Sequence, residues 1–492
     1  VLSFASIPTN ILEPLVAVEF DSSKAQSGPQ LQPYKGLIVG QRLSAGSEPL
    51  ASGLTCTAPK LVTSAEQASA LFGSGSVAHR MARAWLNQNR VTELWVVGVA
   101  DAGSPTAAAF TITVTVTTAV AGTVFLYVCG ELLQIGVAAA QTQNSIAAAI
   151  NTAINSAVGL PITSTVLNNV VTCTARNAGT CGNSIDIRTN YQAGDVLPGG
   201  VTVAIAQSVT GATDPTIADV LAVIGDTWFN RFAFGWRNST TLSAIDTELE
   251  ARWGPLRPID GRAFFGMRDT HANAVTAGSA LNSKHTLIVP RYKPASAEWE
   301  YAAALAAATA LSAQQDPARP HQTTPLVGIA GPQPIDDFDF TERNILLDNG
   351  LTTVYLDGGV ERIGRAVTTY QRAPSGADDT SYLDLTTLDT LSLLRYSIRN
   401  RLLLKYPKHK LARDGTRYDA GQAIVTPAAI RGEVLSWFRE LEGQGLVEDF
   451  EQFKRDLIVE IDATNPNRVN ILVPSNLING LIVRAIKLEF RL

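Results

Sequence analysis

Lys35–Gln41, KGLIVGQ, and Glu93–Val99, ELWVVGV, are short apolar runs without the alternation of a sheet that has one wet face. Continuous apolar strands of this kind belong to sheets covered on both sides, which are mostly parallel. Between them, residues 64–72 and 77–89 carry helical spacing. The second of these sets Ala78, Met81, Ala82, Trp85 and Leu86 on one stripe. Strand, helices and strand in this order read as the start of an α/β layer structure. The same pattern resumes at Asp214. DPTIADVLAVIGDTWFNRFAFGW gives a helix and then a strand, and residues 243–253 give a helix. GRAFFGM, HTLIVPR and TTVYLDGG are strand-like, and the alanine-rich stretch 298–314 is a buried helix. The expected core is therefore discontinuous, 36–100 plus 214–370.

The interruption, 101–213, is rich in Thr, Ala, Val, Asn and Gly and poor in charge. Residues 110–116 alternate Thr with apolar side chains, a strand signature. GTVFLYVCGELLQIGV reads as a hairpin. Residues 143–157 form a helix, with Ile146, Ile150 and Ile154 spaced by four. VVTCTARNAGTCGNSIDIR reads as two strands around a turn, which would let Cys173 and Cys181 meet across a hairpin, and VTVAIAQSVTG is a closing strand. This is expected to be a self-contained α+β domain inserted on an exposed loop, where insertions are tolerated. Its removal is expected to spare whatever the rest assembles into.

The two ends differ from the middle. Within 1–35, Pro8, Pro14, Pro29 and Pro33 oppose helix. One strand candidate, LVAVEFD, has Val16, Val18 and Phe20 on one face, followed by the polar linker SSKAQSGPQLQP. An isolated strand does not recover its ordering entropy of ~1–2 kcal/mol per residue, so it needs a partner. From 371 to 492 a long helix, 383–404, leads into the basic stretch RNRLLLKYPKHKLARDG. Helices at 426–444 and 449–453 follow, then the strand candidates RDLIVEID, RVNILVPS and AIKLEFRL. In the last, at 485–492, Ile486, Leu488 and Phe490 face one way and Lys487, Glu489 and Arg491 the other.

Composition excludes several classes. Charged residues are 17% of the 492, below the usual ~25%, as in chains that cover much surface against neighbours or in large monomers. A net charge of −5 gives no global footprint for nucleic acid. No apolar run of 18 or more residues is present to span a bilayer. Cys56, Cys129, Cys173 and Cys181 form no CxxC pair, which argues against zinc, and nothing indicates an oxidising compartment. His271, His285 and Asp226 lack a nucleophile-elbow context for serine chemistry, and no phosphate-binding glycine loop occurs. Asp336, Asp337 and Asp339 offer ligands to a divalent cation or form a solvated turn. No catalytic, cofactor or metal residue is expected.

Five blocks of the chain, in order, resemble Mu-like contractile bacteriophage tail sheath proteins. They are SFASIPTNILEPLVAVEFDSSKA, LFGSGSVAHRMARAWLNQN, TARNAGTCGNSIDIR, TYQRAPSGADDTSYLDLTTLDTLSLLRYSIRNRLLLKYPKHKL and NPNRVNILVPSNLINGL. The resemblance implies an α/β core described as subtilisin-like, an inserted α+β domain, an α+β C-terminal domain and extended N- and C-terminal arms. It implies a structural virion subunit, assembled in the host cytoplasm into six-fold rings stacked helically around a tail tube. Baseplate and tail terminator proteins would be further partners, and no nucleotide or metal would be needed. The arms would add strands to a small sheet of neighbouring subunits. Here that sheet falls near 457–461 and 469–473, with Val16, Val18, Phe20, Ile486, Leu488 and Phe490 setting register. Arg399, Arg401, Lys405 and Lys408 would face an acidic tube, or alternatively end a solvated helix. A phage-derived contractile injector of tailocin type would use nearly the same protein, and a secreted hydrolase is a distant alternative.

Overall fold

The computed structural model of the chain describes residues 32–419 and 421–491. They divide into two units, 33–392 with 479–491, and 393–478. The candidate arm residues Val16, Val18 and Phe20 lie outside the described residues.

The larger unit opens with β1 (Lys35–Gln41), β2 (Lys60–Val62), α1 (Ala65–Phe72), α2 (Val77–Gln88) and β3 (Glu93–Val99). Ser64 and Ser76 start the two helices, their side chains accepting from the main-chain N–H groups of Gln67 and His79. The insertion follows with β4 (Ala109–Val116), β5 (Gly122–Val128), β6 (Glu131–Val137), α3 (Gln143–Ser156), β7 (Ile162–Leu167), β8 (Val170–Ala175), β9 (Ile187–Thr189) and β10 (Val201–Val209). The core then continues through α4 (Ala218–Ile224), β11 (Arg231–Phe234), α5 (Ser239–Trp253), β12 (Arg262–Arg268), α6 (His271–Ser279), β13 (Thr286–Arg291), α7 (Glu298–Gln315), α8 (Phe340–Asp348) and the hairpin β14 (Thr353–Asp357) and β15 (Val360–Arg365). Helix α5 begins a turn before the expected residue 243, because the Asn238 side chain caps it by accepting from Thr241 N–H.

The central sheet runs β13-β12-β11-β1-β3-β2. Its first five strands are parallel, and the short edge strand β2 pairs antiparallel with β3. Period-two alternation sorts the side chains onto two buried faces. Ile38, Val96, Phe264 and Leu287 meet α2 and α7 on one side. Leu37, Val39, Phe232, Phe234 and Phe265 meet Leu242, Ile245 and Leu249 of α5 on the other. Both faces are covered, which explains the unbroken apolar runs. Glycine permits the closest approaches. A Cβ on Gly36 would lie 2.2 Å from the Trp85 ring, and one on Gly266 would lie 1.9 Å from the Glu298 carbonyl oxygen.

The insertion holds a four-stranded sheet, β10-β4-β8-β7, and a three-stranded one, β6-β5-β9. Strands β8 and β9 therefore belong to different sheets, and the hairpin expected around 177–182 does not form. Cys173 sits in β8 and Cys181 in a 3-10 turn, each buried and free. Nor is the insertion self-contained. One hydrophobic cluster runs from Ile112, Ile146 and Ile150 through to Trp85, Trp299 and Ala302 of the core.

The larger unit extends to Ser392, past the boundary at 371 expected from the sequence. Arg365 grips Asp384 with two hydrogen bonds of 2.9 and 2.7 Å, and buried Arg231 grips Asp389 with bonds of 3.0 and 2.6 Å. These pairs fasten 384–389 to the core. The boundary thus falls inside α9 (Leu385–Lys405).

In the smaller unit come β16 (Lys410–Leu411), β17 (Ile424–Val425), α10 (Pro427–Gly443), β18 (Val447–Glu448), α11 (Phe450–Asp456), β19 (Ile458–Ile461), β20 (Val469–Leu472) and β21 (Asn476–Leu477). Trp437 of α10 is buried and donates to Ser397 Oγ at 2.7 Å. Residues 485–491, expected as a strand, form none here. A strand is defined by its ladder, and no described strand pairs with this segment.

Candidate assembly surfaces

In an open parallel sheet the usual ligand site is the crevice beyond the strands' carboxyl ends, where the chain order reverses. Here that point lies at β1, between β3 and β11. Loop 177–180 of the insertion packs against it, and a cavity of about 570 Å³ lined by Arg42, Leu43, Ala100, Asp101 and Arg176 stays open beside the ends of β1 and β3. Gln41, the last residue of β1, donates to Asp101 Oδ1 at 2.7 Å and to the Ala178 carbonyl at 2.6 Å. Asp101 also accepts from Asn177 Nδ2 and Ala178 N–H. Asp214, where the chain re-enters the core, accepts from Thr180 N–H and from Asn238 Nδ2. One loop of the insertion, 177–180, is thereby tied to both of its own connections.

The residues weighed for chemistry are placed apart in role. The His285 imidazole bonds Glu250 at 2.8 Å; burial, then the nearby Arg262 charge, push its pKa down to about 3. The neighbouring hydroxyl, Ser283, donates to Asp246 and accepts the His285 main-chain N–H. His271 contacts the Glu342 carbonyl at 3.0 Å, while Asp226 is exposed and pairs with Arg257. Among the described residues no serine hydroxyl meets an imidazole. The three aspartates near 337 have separate structural roles. Asp336 pairs with Lys293, Asp337 with Arg291 and the Leu356 N–H, and Asp339 caps α8. No cluster of metal-binding side chains occurs among the described residues, and no described helix is long and apolar enough to cross a membrane.

What the surface does offer is strand edges and charge. Strands β19 and β20 form a two-stranded antiparallel sheet, with Ile458 opposite Leu472 and Ile461 opposite Val469. Each strand has a ladder partner on one side only, so both outer edges present unpaired main-chain groups among the described residues. Ile458 and Leu472 are themselves exposed. Helix α10 supports the sheet, Arg431 donating to the Leu457 carbonyl at the entry to β19. Asp462 ties the connecting turn by accepting from Asn470 Nδ2, Thr464 and Asn465 N–H. The Asn470 bond, then those from Thr464 and Asn465, hold its carboxyl well below the usual range.

The larger unit carries an exposed apolar row near its C-terminal end. Ile486, Leu488 and Phe490 are 87%, 87% and 79% exposed. These three apolar side chains recur at period two, with no described element over them.

The four basic candidates on and after α9 separate into two pairs. Arg401 donates to Glu433 at 2.5 Å and to both oxygens of Glu440 at 2.6 and 2.9 Å. Lys405 bonds the other Glu433 oxygen. These two cations are engaged by α10. Arg399 and Lys408 are exposed and make no ion pair among the described residues. Sequence spacing could not separate the pairs, because Glu433 and Glu440 lie on the next helix, 28 to 39 residues further along the chain.

Comparison with known proteins gives a consistent result. Residues 210–369 match the model of the phage tail sheath protein central domain, and residues 377–491 that of the phage tail sheath C-terminal domain. The Mu-like prophage FluMu tail sheath protein of Haemophilus influenzae is 37% identical over 490 residues, covering 99% of each chain. Among solved structures, the sheath tail protein from Desulfitobacterium hafniense is 12% identical with a TM-score of 0.49, covering 95% of this chain and 97% of that one. A chain of the anti-feeding prophage baseplate is 10% identical with a TM-score of 0.47, covering 98% and 99%.

Proposed function

Because this chain belongs to the phage tail sheath family, we propose that it acts by polymerising in stacked six-fold rings around a tail tube and contracting to drive the tube through a host envelope. Exchanged strands join the subunits. The observation that carries this is the pairing of needs on one chain. A two-stranded sheet has open edges, and a segment at 485–491 has an apolar face but no ladder. Adding a strand satisfies main-chain groups on both partners, and alternate side chains set its register. The segment at 14–22, with Val16, Val18 and Phe20, is the second joining strand on this reading. The parallel sheet covered by helices on both faces supports a core of the subtilisin-like kind, used as a scaffold rather than for catalysis.

Arg399 and Lys408 are the tube-facing cations on this reading. Their charge orients the subunit, and exposed pairs are weak enough to slide, at about 0–1 kcal/mol each. Baseplate and tail terminator proteins bound the ends of the polymer, which assembles in the host cytoplasm. The reading is tested by negative-stain electron microscopy of the full chain, a chain lacking 1–22 and a chain lacking 483–492, each with and without tail tube. Hollow tubes from the full chain and none from either truncation are expected. Tubes of normal diameter from both truncations would refute the strand-exchange reading.

A further inference from the structure

The exposed segment near the C-terminal end is not free along its whole length. Of residues 478–491 only Ile482 is half-buried; the others are exposed. Ile482 lines a small, partly open space with Pro320, His321, Arg365, Asp384 and Thr386. One residue earlier, the Leu481 carbonyl accepts from Gln322 Nε2 at 3.0 Å. Before that, Gly480 lies so close to Pro320 that an added Cβ would come within 2.8 Å of the proline ring. Three consecutive residues are thus held by one loop, 320–322.

That loop is itself fastened. Thr323 N–H donates to the Ile363 carbonyl, Ile363 N–H donates back to Thr324, and Leu326 N–H donates to Glu361, all at 2.8–2.9 Å. The loop is therefore laced along β15. Beneath it, His321 is buried, and the Arg365–Asp384 pair closes the wall. A half-buried apolar side chain packed beside a fixed loop, a main-chain hydrogen bond and a close glycine approach define both the position and the direction of a chain.

We propose that loop 320–322 is a socket that seats Gly480–Ile482 and so sets the direction in which residues 483–491 leave the core toward a neighbouring subunit. Gln322, Pro320 and Gly480 are positioning residues. This rests on the strand-exchange reading, because the socket matters for assembly only if the segment beyond it is the joining strand. Held at its root, that segment samples a narrow cone and meets its partner edge with less entropy to lose.

The test uses the full chain with Arg484→Cys as a nitroxide attachment site, since the four native cysteines are buried. In dissociated subunits the label is expected to show an immobilised component, lost in Gly480→Leu/Ile482→Ser and in Gln322→Ala/Ile482→Ser. An unchanged line shape in both variants would overturn the socket. The same variants, unlabelled, are then assembled. Loss of tubes, or tubes with altered helical parameters, is expected, with subunit melting unchanged. If a chain lacking 483–492 makes no tubes while the unseated variants make tubes of wild-type rise and twist, the positioning role alone is overturned. Tubes of normal diameter from the truncated chain would overturn the joining role of this C-terminal segment and the positioning role with it.

Discussion

Replacing Arg80 by methionine tests whether the insertion is part of the core's own stability. Arg80 stands on α2, and its side chain is fully buried. Its Nε and Nη2 donate to Glu300 Oε1 of α7 at 3.0 and 2.7 Å. Its Nη1 reaches Glu131 of the insertion at 2.6 Å and the Gly159 carbonyl at 3.2 Å. Methionine keeps the apolar stem and deletes the guanidinium, leaving Glu300 buried without its partner. Removing one member of a buried pair costs about 3–5 kcal/mol. Arg83, 3.9 Å from Glu300 and 2.5 Å from Glu131, offsets part of this, so a loss of about 3 kcal/mol is expected. With an m-value of about 3 kcal/mol/M, the urea midpoint of dissociated subunits falls by about 1 M. Adding Glu300→Gln removes the stranded charge and is expected to recover at least ~1 kcal/mol, a coupling that distant sites do not show. A midpoint shift under about 0.3 M, or no recovery in the double variant, would refute the reasoning. Deleting 102–213 strips the same arginine and the shared cluster of their cover, so the deleted chain is expected to aggregate rather than to assemble.

Three further outcomes follow from the surfaces. Ile486→Asp/Leu488→Asp is expected to abolish tubes while leaving subunit melting unchanged, since both side chains are exposed in the single chain; a lowered melting temperature would assign them to the fold instead. Arg399→Glu/Lys408→Glu is expected to reduce co-sedimentation with tail tube more steeply at low salt, whereas Arg401→Ala loosens α9 from α10 in hydrogen exchange; equal tube binding by all three proteins would remove charge from the contact. Asp462 has a depressed folded pKa, so its contribution to the β19–β20 turn is full above the ordinary carboxylate pKa, near 3.9, and is lost as pH falls through the folded value. Wild-type assembly at pH 5 and still at pH 3, where the depressed pKa keeps Asp462 ionised in the fold, with weakening only on further acidification, is the expected pattern, and an Asp462→Ala chain that assembles like the wild type at pH 5 would count against it.

Residue pattern alone made much of this protein legible. The core strands announced themselves because a sheet buried on both faces needs apolar side chains at every position, as in Leu37, Ile38 and Val39. The helices were readable from their apolar stripes, as with Met81 and Trp85, whereas the Ser76 cap emerged only in the structure. The alternation at 486–490 marked an apolar face, a local property of the sequence, but no ladder forms there in the single chain. Tertiary structure decided what depends on groups distant in sequence. It assigned β8 and β9 to separate sheets and set Arg80 between α7 and the insertion, 220 residues from Glu300. It engaged Arg401 and Lys405 with α10 while leaving Arg399 and Lys408 in solvent, and it seated Ile482 beside His321. Periodicity reports which face of an element is apolar, because that is set by a few neighbouring residues. Which charge meets which, and where a loop can grip a passing strand, is settled only when the folded chain brings such groups within about 3 Å of one another.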